Sequence, residues 1–370
     1  MKILFLEPFY GGSHKVVADG FAACSRHQVD ILSLAPRFWK WRMRGSALAF
    51  IRQIKNLTEY DLVFATDMVD VTDFKALAGP QCPPVVLYFH ENQLSYPLEP
   101  GEKRDFHLGF TNIISALSAE GVFFNSQFHR DDFFSAAKAL IRKMPDLRPG
   151  WILDKIRGKT CVLYPGIDLD SRGFVTSEQR DSSLDLPLVI WNHRWEYDKN
   201  PKAFFNVLER LKGRGILFYL AVMGEQYGTV PEEFKGIEER FDAELLVYRY
   251  QEQVADYRKW LAKGSVVIST AIQENFGISV LEAVAHGCFP LLPNRLSYPE
   301  LIPEQLKSDV IYRDDADLEA RLEHILVQPQ VYQERAAALS AHAAGFSWSH
   351  MAEKWDEALY QTIGSGRSRN

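Results

Sequence analysis

Twelve short apolar segments recur along the chain and limit the folds that it can adopt. They are rich in β-branched and aromatic residues and apolar almost throughout, which is typical of strands buried on both faces of a parallel sheet. In chain order they read KILFLEPF, VDILSL, DLVFAT, PVVLYF, GVFFN and TCVLY, then LPLVIWN, ILFYLAVM, ELLVY, SVVIST, CFPLLP and DVIY. We predict a strand for each of them.

Segments with a helical spacing of apolar residues separate these strands. We predict helices near residues 14–25, 45–56, 106–119 and 127–143, and again near residues 200–213, 252–263, 277–287 and 314–327. Strands that alternate with helices indicate an α/β fold in which helices cover both faces of a parallel sheet. The chain has 370 residues, more than a single hydrophobic core usually supports, so we expect two such domains.

The domain boundary is predicted to lie in a polar segment, rich in Ser and Asp, at about residues 170–186. We therefore expect Rossmann-like domains at residues 1–172 and 186–345, facing each other across a cleft. Residues 346–370 are predicted to form an amphipathic helix, because large apolar residues recur there at helical spacing. These residues are Trp348, Met351, Trp355 and Leu359.

The composition argues against several classes of protein. The formal net charge is -6, so attraction to nucleic acid would have to come from local basic segments. The four cysteines lie far apart without CxxC spacing, which argues against a zinc cluster or a disulfide framework and favours buried thiols in a reducing compartment. The N-terminal apolar run is too short for a signal peptide, and no segment approaches the roughly 20 apolar residues of a membrane span. We expect a cytoplasmic protein.

Two motifs of the first half stand at strand ends, where open α/β sheets bind ligands. Gly11 and Gly12 directly follow the first strand. A glycine pair lets backbone amides approach a phosphate, with a helix N-terminus behind it, but it equally fits a tight turn that needs positive φ. His90 ends the strand PVVLYF and could hydrogen-bond a sugar hydroxyl or assist proton transfer. A purely structural histidine is the alternative.

A basic pair follows the first strand of the second half. Arg194 and Lys199 lie five residues apart in the loop after LPLVIWN. They could neutralise a diphosphate, Arg194 through a bidentate fork and Lys199 as a point charge. The alternative is an exposed loop in which both cations pair with Glu196 and Asp198 of the same segment.

Two glutamates bracket a turn in the second half. Glu274 precedes Asn275-Phe276-Gly277, and we predict that a helix begins near Ile278 and carries Glu282 about two turns on. The amides of that helix N-terminus favour an anion. Carboxylates on either side of a phosphate site fit a ligand with many hydroxyl groups, one contacting a sugar and the other a ribose.

Together these motifs resemble the retaining glycosyltransferases of family 4, which have the GT-B fold. The resemblance rests on the glutamate pair with seven residues between, the Arg–Lys pair, the glycine loop, His90, Asn125-Ser126 and Pro165-Gly166-Ile167-Asp168. Longer stretches are similar to the tRNA-queuosine mannosyltransferases in particular: EPFYGGSHK, FWKWRMRG, YFHENQLSYP, FNSQFHRDDF, NHRWEYDKNP and QENFGISVLEA. Two positions depart from the family-4 pattern, since His193 and Asn275 stand where glycine is usual.

The resemblance implies transfer of mannose from GDP-mannose to queuosine in the anticodon loop of tRNA, with tRNA-Asp expected and configuration retained. It assigns His90, Glu274, Arg194 and Lys199 to catalysis. It assigns donor binding to Gly11, Gly12, Arg194, Lys199, Asn275, Phe276, Gly277, Ile278 and Glu282. The final helix resembles the one that returns to the N-terminal domain in this fold.

No metal or other cofactor is required in this fold, and no obligate protein partner is inferred. Asp168-Leu169-Asp170 matches a metal-binding DxD in form but lies beside the predicted linker, so we expect no metal there.

The segment PRFWKWRMRG, residues 36–45, contrasts with the acidic charge of the whole chain. Cations neutralise RNA phosphates, and aromatic rings stack on unpaired bases, so we expect this segment to bind the tRNA acceptor. The candidates are Arg37, Lys40, Trp41, Arg42 and Arg44, with Phe38 and Trp39 as further aromatics. A second basic segment, residues 138–159, carries seven Lys or Arg residues against two Asp residues.

Two other interpretations of residues 36–45 stay open. The aromatic residues could belong to the core with solvated cations around them, or the segment could lie on an anionic membrane surface. An amphipathic helix with one apolar face would favour the membrane, whereas a loop beside the cleft would favour tRNA.

Two alternative functions remain as well. A retaining glycosyltransferase on the cytoplasmic face of a membrane, with a lipid or polysaccharide acceptor, would use the same donor residues. A sugar-nucleotide-dependent binding protein without enzymatic activity is a further alternative, and the four intact charged residues of the donor motifs argue against it.

Overall fold

The structure is a computed structural model that describes residues 1–98, 101–169, 183–226 and 230–367. Most of the predicted linker and Asp170 of the DxD triplet lie outside these residues. The chain divides into two compact units, residues 1–168 with 348–370 and residues 169–347. We call them the N-terminal unit and the C-terminal unit.

The N-terminal unit contains a six-stranded parallel sheet with the strand order β2-β1-β3-β4-β5-β6. Its strands are β1 (Lys2–Glu7), β2 (Gln28–Ser33), β3 (Leu62–Thr66), β4 (Val85–Phe89), β5 (Gly121–Phe124) and β6 (Thr160–Val162). Its helices are α1 (Gly12–Cys24), α2 (Trp39–Gln53), α3 (Val71–Ala78), α4 (Phe106–Ser118), α5 (Gln127–Lys143), α6 (Trp151–Arg157) and the C-terminal α15 (Trp348–Arg367).

Helices cover both faces of this sheet. One face packs against apolar residues of α2 to α6 in a single hydrophobic cluster. On the other face the rings of Phe64 and Tyr88 contact Trp355 of α15 at centroid distances of 5.6 and 4.8 Å, and Phe21 of α1 lies 5.0 Å from Trp355. Because side chains alternate along a strand, the near-continuous apolar strands are explained by burial on both faces.

The C-terminal helix belongs to the N-terminal unit. All four of the large apolar residues predicted for its inner face are at most 3% exposed. The indole nitrogen of Trp355 donates to the carbonyl of Tyr164 at 2.8 Å, and the Asp356 carboxylate accepts from Ser25 Oγ at 2.6 Å and from the amide of Arg26 at 2.9 Å. The predicted return of this helix is confirmed.

The C-terminal unit repeats the architecture with the strand order β12-β11-β10-β7-β8-β9, again parallel. Its strands are β7 (Leu188–Trp191), β8 (Tyr219–Val222), β9 (Leu245–Tyr248), β10 (Val266–Ile268), β11 (Phe289–Pro293) and β12 (Ile311–Tyr312). Its helices are α7 (Pro201–Gly213), α8 (Ile237–Arg240), α9 (Val254–Lys263), α10 (Ile278–Ala285), α11 (Tyr298–Leu301), α12 (Lys307–Val310), α13 (Asp315–Val327) and α14 (Gln333–Ala344).

All twelve predicted strands are confirmed, and so are the eight predicted helices between them. Several helices begin at a capping residue that the sequence shows: the side chains of Asp105, Ser126 and Asn200 accept the backbone amides at the start of α4, α5 and α7. Six of the α-helices in the described part of the chain were not predicted. Most of these are short, and α14 is rich in alanine and presents no strong apolar stripe.

Two expectations are corrected. Helix α2 begins at Trp39, six residues before the predicted start, so it includes most of the basic and aromatic segment. The cysteines are not uniformly buried: Cys288 is, Cys82 is half-buried, and Cys24 and Cys161 are exposed. Among the described residues, no helix is long and apolar enough to cross a bilayer.

Candidate functional site

Four polar side chains of the N-terminal unit meet below the surface where three adjacent strands end. Glu7 is the last residue of β1, Asp67 and His90 directly follow β3 and β4, and His14 lies in α1. His14 Nδ1 is 3.2 Å from Glu7 Oε2, and His90 Nε2 is 3.7 Å from the same oxygen. The amide of His90 donates to Asp67 Oδ1 at 2.8 Å. The strand order thus brings these four residues into one buried cluster.

The two histidines of this cluster differ in charge. Burial by itself would lower the pKa of His14, but the Glu7 carboxylate outweighs it and raises that pKa to about 9. Burial, together with the charges of His14 and His129, lowers the pKa of His90 well below its usual value. Burial also raises the pKa of Asp67 to about 8. Near neutral pH, His14 is therefore an imidazolium paired with Glu7, and His90 is neutral.

The ligand atoms of Glu7, His14 and His90 lie within 4.8 Å of one another, a spacing that a metal ion could bridge. The rings of His14 and His90, however, lie only 4.0 Å apart at an angle of 33°, so the two imidazoles pack against each other. A metal would also have to displace the Nδ1 proton that His14 shares with Glu7. The geometry fits an ion pair stacked against a neutral imidazole better than a metal site.

The glycine pair is constrained by its surroundings. Gly12, the first residue of α1, has a φ of 51°, so the tight-turn interpretation holds for it. A Cβ atom on Gly11 would lie 2.7 Å from Pro36, so the turn also packs against the segment that leads to α2. Gly11 is the N-cap of α1 without a side-chain hydrogen bond, which leaves the helix N-terminus able to receive an anion.

In the C-terminal unit, Lys199 joins the two predicted donor loops. Its ammonium group donates to the carbonyl of Gln273 at 2.8 Å and lies 3.3 Å from Glu274 Oε2 and 3.2 Å from Asp198 Oδ2. Arg194 lies in the same loop but contacts Glu196 at 3.2 Å, with its side chain 42% exposed against 7% for Lys199. The structure therefore brings Lys199 and Glu274 together and leaves Arg194 more open.

Burial and charge oppose each other at this pair. Burial lowers the pKa of Lys199, but Asp198 and Glu274 outweigh it and raise that pKa above its usual value. Burial raises the pKa of Glu274, but Lys199, His193 and Arg194 together lower it below its usual value. Both groups are consequently charged near neutral pH. The alternative in which the loop only pairs with its own acids applies to Arg194 and Glu196, but it does not explain the contact with Glu274.

Helix α10 begins at Ile278, as predicted. Gly277, its N-cap, has a φ of 104°, a conformation that favours glycine, and a Cβ there would make a tight contact of 3.2 Å with the ring of Tyr298. The hydroxyl of Ser297 donates to the carbonyl of Phe276 at 2.9 Å and holds the turn. No side chain caps α10, so its first amides point toward a position where an anion is favoured.

Glu282 is held by a chain of polar contacts that begins at the end of β7. Tyr257 of α9 donates to Glu282 Oε2 at 3.1 Å. The amide group of Asn192 donates to Tyr257 at 2.9 Å and to the carbonyl of Ser279 at 2.7 Å. These contacts hold the Glu282 side chain in place on α10, after the turn that Glu274 precedes.

His193, which stands where glycine is usual in family 4, adds no charge to the loop near neutral pH. Burial and the charge of Lys199 together lower the pKa of His193 to about 4. Its ring packs edge-on against Trp191 at 5.2 Å, and its Nδ1 lies 3.4 Å from Ser279 Oγ. The carbonyl of His193 leaves no room for a side chain at position 224, where a Cβ would approach to 1.5 Å, so Gly224 is required.

Sequence reasoning missed five polar residues of these clusters. Glu7 ends a strand, and Asp67 and Asn192 directly follow strands, so their positions could have drawn attention to them. His14 and Tyr257 gave no such signal, because their importance follows from contacts between elements.

The basic and aromatic segment is helical from Trp39 onward, and its apolar side is not free. Met43, Ala47 and Phe50 are buried in the unit, and Trp39 packs beside Met43. An amphipathic helix with one apolar face would favour membrane binding. The apolar face of α2, however, is buried within the protein and is not available to a membrane.

The outer side of the segment carries the acceptor candidates. Phe38 and Trp41 are 71% and 64% exposed. Lys40 lies 3.4 Å from Glu102, Arg42 donates to the carbonyl of Ala35 at 3.3 Å, and Arg44 reaches Thr111 of α4 at 3.4 Å. The segment thus presents two exposed rings among cations, while one of its three aromatics, Trp39, packs inward.

Comparison with known proteins gives consistent results for both halves. Residues 2–167 match the family model described as tRNA-queuosine alpha-mannosyltransferase N-terminal, and residues 197–355 match the one described as Family 4 Glycosyltransferase in conflict systems. The tRNA-queuosine alpha-mannosyltransferase of Drosophila melanogaster is 35% identical over 341 residues, which cover 90% of this chain and 89% of the relative.

Solved structures show the same fold. HepE of Anabaena, in complex with UDP, matches with a TM-score of 0.70 and 16% identity over 98% of this chain and 100% of its own. Sucrose-phosphate synthase of Thermosynechococcus elongatus matches with a TM-score of 0.75 and 13% identity over 99% and 100%. The fold is the GT-B fold of glycosyltransferases, and the chain belongs to the tRNA-queuosine alpha-mannosyltransferase family within the family-4 glycosyltransferases.

Proposed function

We propose that this glycosyltransferase moves mannose from GDP-mannose to queuosine in the anticodon loop of a tRNA, with tRNA-Asp as the expected acceptor and with retention of configuration. The observation that carries the proposal is the buried contact between Lys199 and Glu274 beside the uncapped N-terminus of α10. The name of the Drosophila relative supports the sugar and the acceptor. We place the activity in the cytoplasm.

The proposed donor site gathers positive charge where the leaving group develops negative charge. Arg194, Lys199 and the first amides of α10 would bind the diphosphate, and fixed cations stabilise such a leaving group more in the transition state than in the ground state. Glu274 would accept hydrogen bonds from mannose hydroxyls, while Glu282, positioned by Tyr257, would contact the ribose. We also assign Asn275, Phe276, Gly277 and Ile278 to the donor.

In the N-terminal unit, the neutral His90 is proposed to hydrogen-bond a hydroxyl of the sugar, with Gly11 and Gly12 offering backbone amides. Glu274 and Glu282 are engaged with Lys199 and Tyr257. We therefore propose that the acceptor attacks on the face from which the diphosphate leaves, without a covalent enzyme intermediate. We assign no metal ion or other cofactor to the reaction, because the cations and helix amides supply the positive charge.

The acceptor is assigned to the outer side of α2 and to the residues directly before it. Arg37, Lys40, Arg42 and Arg44 would contact phosphates, and the exposed ring of Trp41 would stack on an unpaired base of the anticodon loop. The bases of a loop are already single-stranded, so the enzyme need not open a duplex to reach them.

The first test is transfer of radiolabelled mannose from GDP-mannose to bulk tRNA, with tRNA that lacks queuosine as the control. Label that appears only on the queuosine-containing tRNA supports donor, acceptor and reaction together. If neither tRNA is labelled while GDP-mannose is slowly hydrolysed, the acceptor proposal is wrong and a lipid or polysaccharide acceptor takes its place. If GDP-mannose is untouched, the donor proposal fails as well.

A further inference from the structure

A second basic surface of the N-terminal unit lies on α5, α6 and the turn between them. We call it the α5–α6 surface. Its cations are Lys138, Arg142, Lys143, Arg148, Lys155 and Arg157, and all six are exposed. Lys159, the last cation of this segment, instead folds inward and donates to the carbonyl of Leu117 at 2.6 Å.

The six exposed cations are not neutralised by acidic neighbours. Within the described part of the chain, none of them forms an ion pair, and the nearby carboxylate of Asp146 instead accepts the amide of Leu147 at 2.7 Å. Asp154 is the other acidic residue of the segment. Other lysines of the protein do pair with acids, as in the contacts Lys235–Glu232, Lys259–Asp256 and Lys307–Glu304. The α5–α6 surface is therefore a site of uncompensated positive charge on an acidic protein.

Aromatic rings take the place of carboxylates beside several of these cations. Lys155 lies 5.0 Å from the ring centre of Trp151, Lys143 lies 5.8 Å from that of Phe106, and the Arg157 guanidinium lies 4.0 Å from that of Phe134. Trp151 and Phe106 are 57% and 48% exposed. A surface that alternates exposed cations and rings is chemically matched to a polyanion with a hydrophobic component.

Helix stabilisation explains part of this pattern only. Cations in the last turn of a helix interact favourably with its dipole, which accounts for Arg142 and Lys143 in α5 and for Lys155 and Arg157 in α6. Lys138 lies more than one turn before the end of α5, and Arg148 lies between α5 and α6. The dipole also does not explain the exposure of Trp151.

The α5–α6 surface is connected to the acceptor candidates on α2 through the first turns of α4. On one side, Leu108 of α4 packs with Met43 of α2, and Arg44 of α2 reaches Thr111 of α4 at 3.4 Å. On the other side, Phe106 contacts Lys143 of α5, and α4 packs against α6. The two basic surfaces thus lie on elements that both contact α4.

We propose that the α5–α6 surface binds the phosphate backbone of the tRNA outside the anticodon loop, while α2 receives the loop itself. This proposal rests on the proposed function for the identity of the RNA. It predicts recognition by charge and shape, because phosphate contacts position an RNA without reading its sequence. The surface should therefore bind tRNA with and without queuosine equally well.

The test compares two triple variants that remove the same charge. The first is Lys138→Gln, Lys143→Gln and Lys155→Gln. The matched control is Lys235→Gln, Lys259→Gln and Lys307→Gln in the C-terminal unit. The probes are queuosine-lacking tRNA, a single-stranded heptanucleotide with the anticodon-loop sequence, and vesicles of phosphatidylserine and phosphatidylcholine. Dissociation constants are measured as a function of salt concentration.

We expect the first variant to bind tRNA at least tenfold more weakly near 100 mM salt and to lower the slope of log K against log salt by about 2 to 3, at roughly 0.7–0.9 per neutralised phosphate. The heptanucleotide should bind both variants within twofold of the unmodified protein, and the control variant should bind tRNA normally. Donor hydrolysis by the first variant should be unchanged.

Three results would overturn the proposal. Normal tRNA binding by the first variant would show that the surface takes no part. An equal loss for tRNA and heptanucleotide, with donor hydrolysis unchanged, would show that it acts on the loop. Vesicle binding that the first variant loses, with tRNA binding intact, would show a membrane surface. Absence of mannose transfer combined with the expected tRNA results would reject the proposed function alone.

Discussion

The two cations assigned to the diphosphate have different environments, and this separates their roles in stability. Lys199 is buried between Asp198 and Glu274, whereas the Arg194 side chain is 42% exposed. Removing one partner of a buried ion pair leaves an uncompensated charge and costs about 3–5 kcal/mol. Removing a half-exposed cation changes the free energy of unfolding little, because water solvates the carboxylate that remains. The loop sequence alone does not reveal this difference in burial, because it shows Arg194 and Lys199 only as two cations of the same loop.

We expect Arg194→Ala to reduce mannose transfer about 100-fold or more, as losses of one stabilising group at a transition state do, with the free energy of unfolding unchanged within about 0.5 kcal/mol. Lys199→Ala should reduce transfer at least as much and also destabilise the protein. Kinetics and urea unfolding of both variants measure this. Normal turnover in both would refute the diphosphate assignment, and equal stability would refute the burial argument.

The histidine cluster predicts a pH dependence of stability. The pKa of His14 is about 9 in the folded protein against about 6.5 when unfolded. The raised pKa means that His14 contributes its full stabilisation below pH 6.5 and loses it as the pH rises through 9. The contribution is at most about 3 kcal/mol, at 1.36 kcal/mol per pKa unit.

We therefore expect His14→Gln to destabilise the protein more at pH 6 than at pH 9.5, as measured by urea unfolding at both values. His350, which is exposed on α15, gives the matched control His350→Gln, whose effect should be small at each pH. A difference between wild type and His14→Gln that does not change with pH would contradict the assigned charge state.

At the scale of elements, the strands were predictable and the start of α2 was not. Continuous apolar runs mark buried strands because both of their faces lack polar residues. Helix α2 begins without a capping side chain, after Phe38, whose φ of 56° is unusual for a residue other than glycine. No local signal marks such a start, and the mixture of rings and cations resembles a surface segment. Only packing of Met43 and Phe50 shows that the segment is a helix held by the core.

The helical form of α2 makes its outer cations a defined surface. We expect Arg42→Gln with Arg44→Gln to weaken tRNA binding and to lower the salt slope by about 1 for each arginine that no longer neutralises a phosphate. Hydrolysis of GDP-mannose without an acceptor should stay unchanged. If hydrolysis fell by the same factor as tRNA binding, the two arginines would support the structure instead of the acceptor.

The candidate site could be derived from the sequence only in part, for a reason that also lies in the elements. Glu274, Gly277 and Ile278 follow one another, so the turn before α10 could be predicted from neighbours in the chain. The cluster of Glu7, His14, Asp67 and His90 depends on β1, β3 and β4 lying side by side. Strand order is a property of the assembled sheet, and the chain does not encode it locally.

At the scale of the whole molecule, the N-terminal unit is built from both ends of the chain. Residues 348–370 complete a unit that otherwise ends at residue 168, and Trp355 of α15 fills the centre of its second face. The predicted boundaries at residues 172 and 186 remain predictions, because the segment between them lies largely outside the described residues.

We expect Trp355→Ala to destabilise the N-terminal unit by about 3–5 kcal/mol, because it empties a fully buried site and removes the hydrogen bond to Tyr164. Tyr360→Ala on the same helix is the control, since Tyr360 is 62% exposed and its loss should cost less than about 0.5 kcal/mol. Urea unfolding followed by tryptophan fluorescence measures both. Similar midpoints for the two variants would show that α15 contributes little to the unit.

The N-terminal unit consists of two segments that are far apart in the chain, and this affects how it folds during synthesis. Its first 168 residues leave the ribosome well before α15, and residues 169–347 intervene. At roughly 5–20 residues per second this delay is about 10–40 s. During that time Phe64 and Tyr88 lack the tryptophan that covers them, while the C-terminal unit can already complete its own sheet. The second unit can thus mature before the first, and the nascent chain presents an aromatic surface of the kind that chaperones bind.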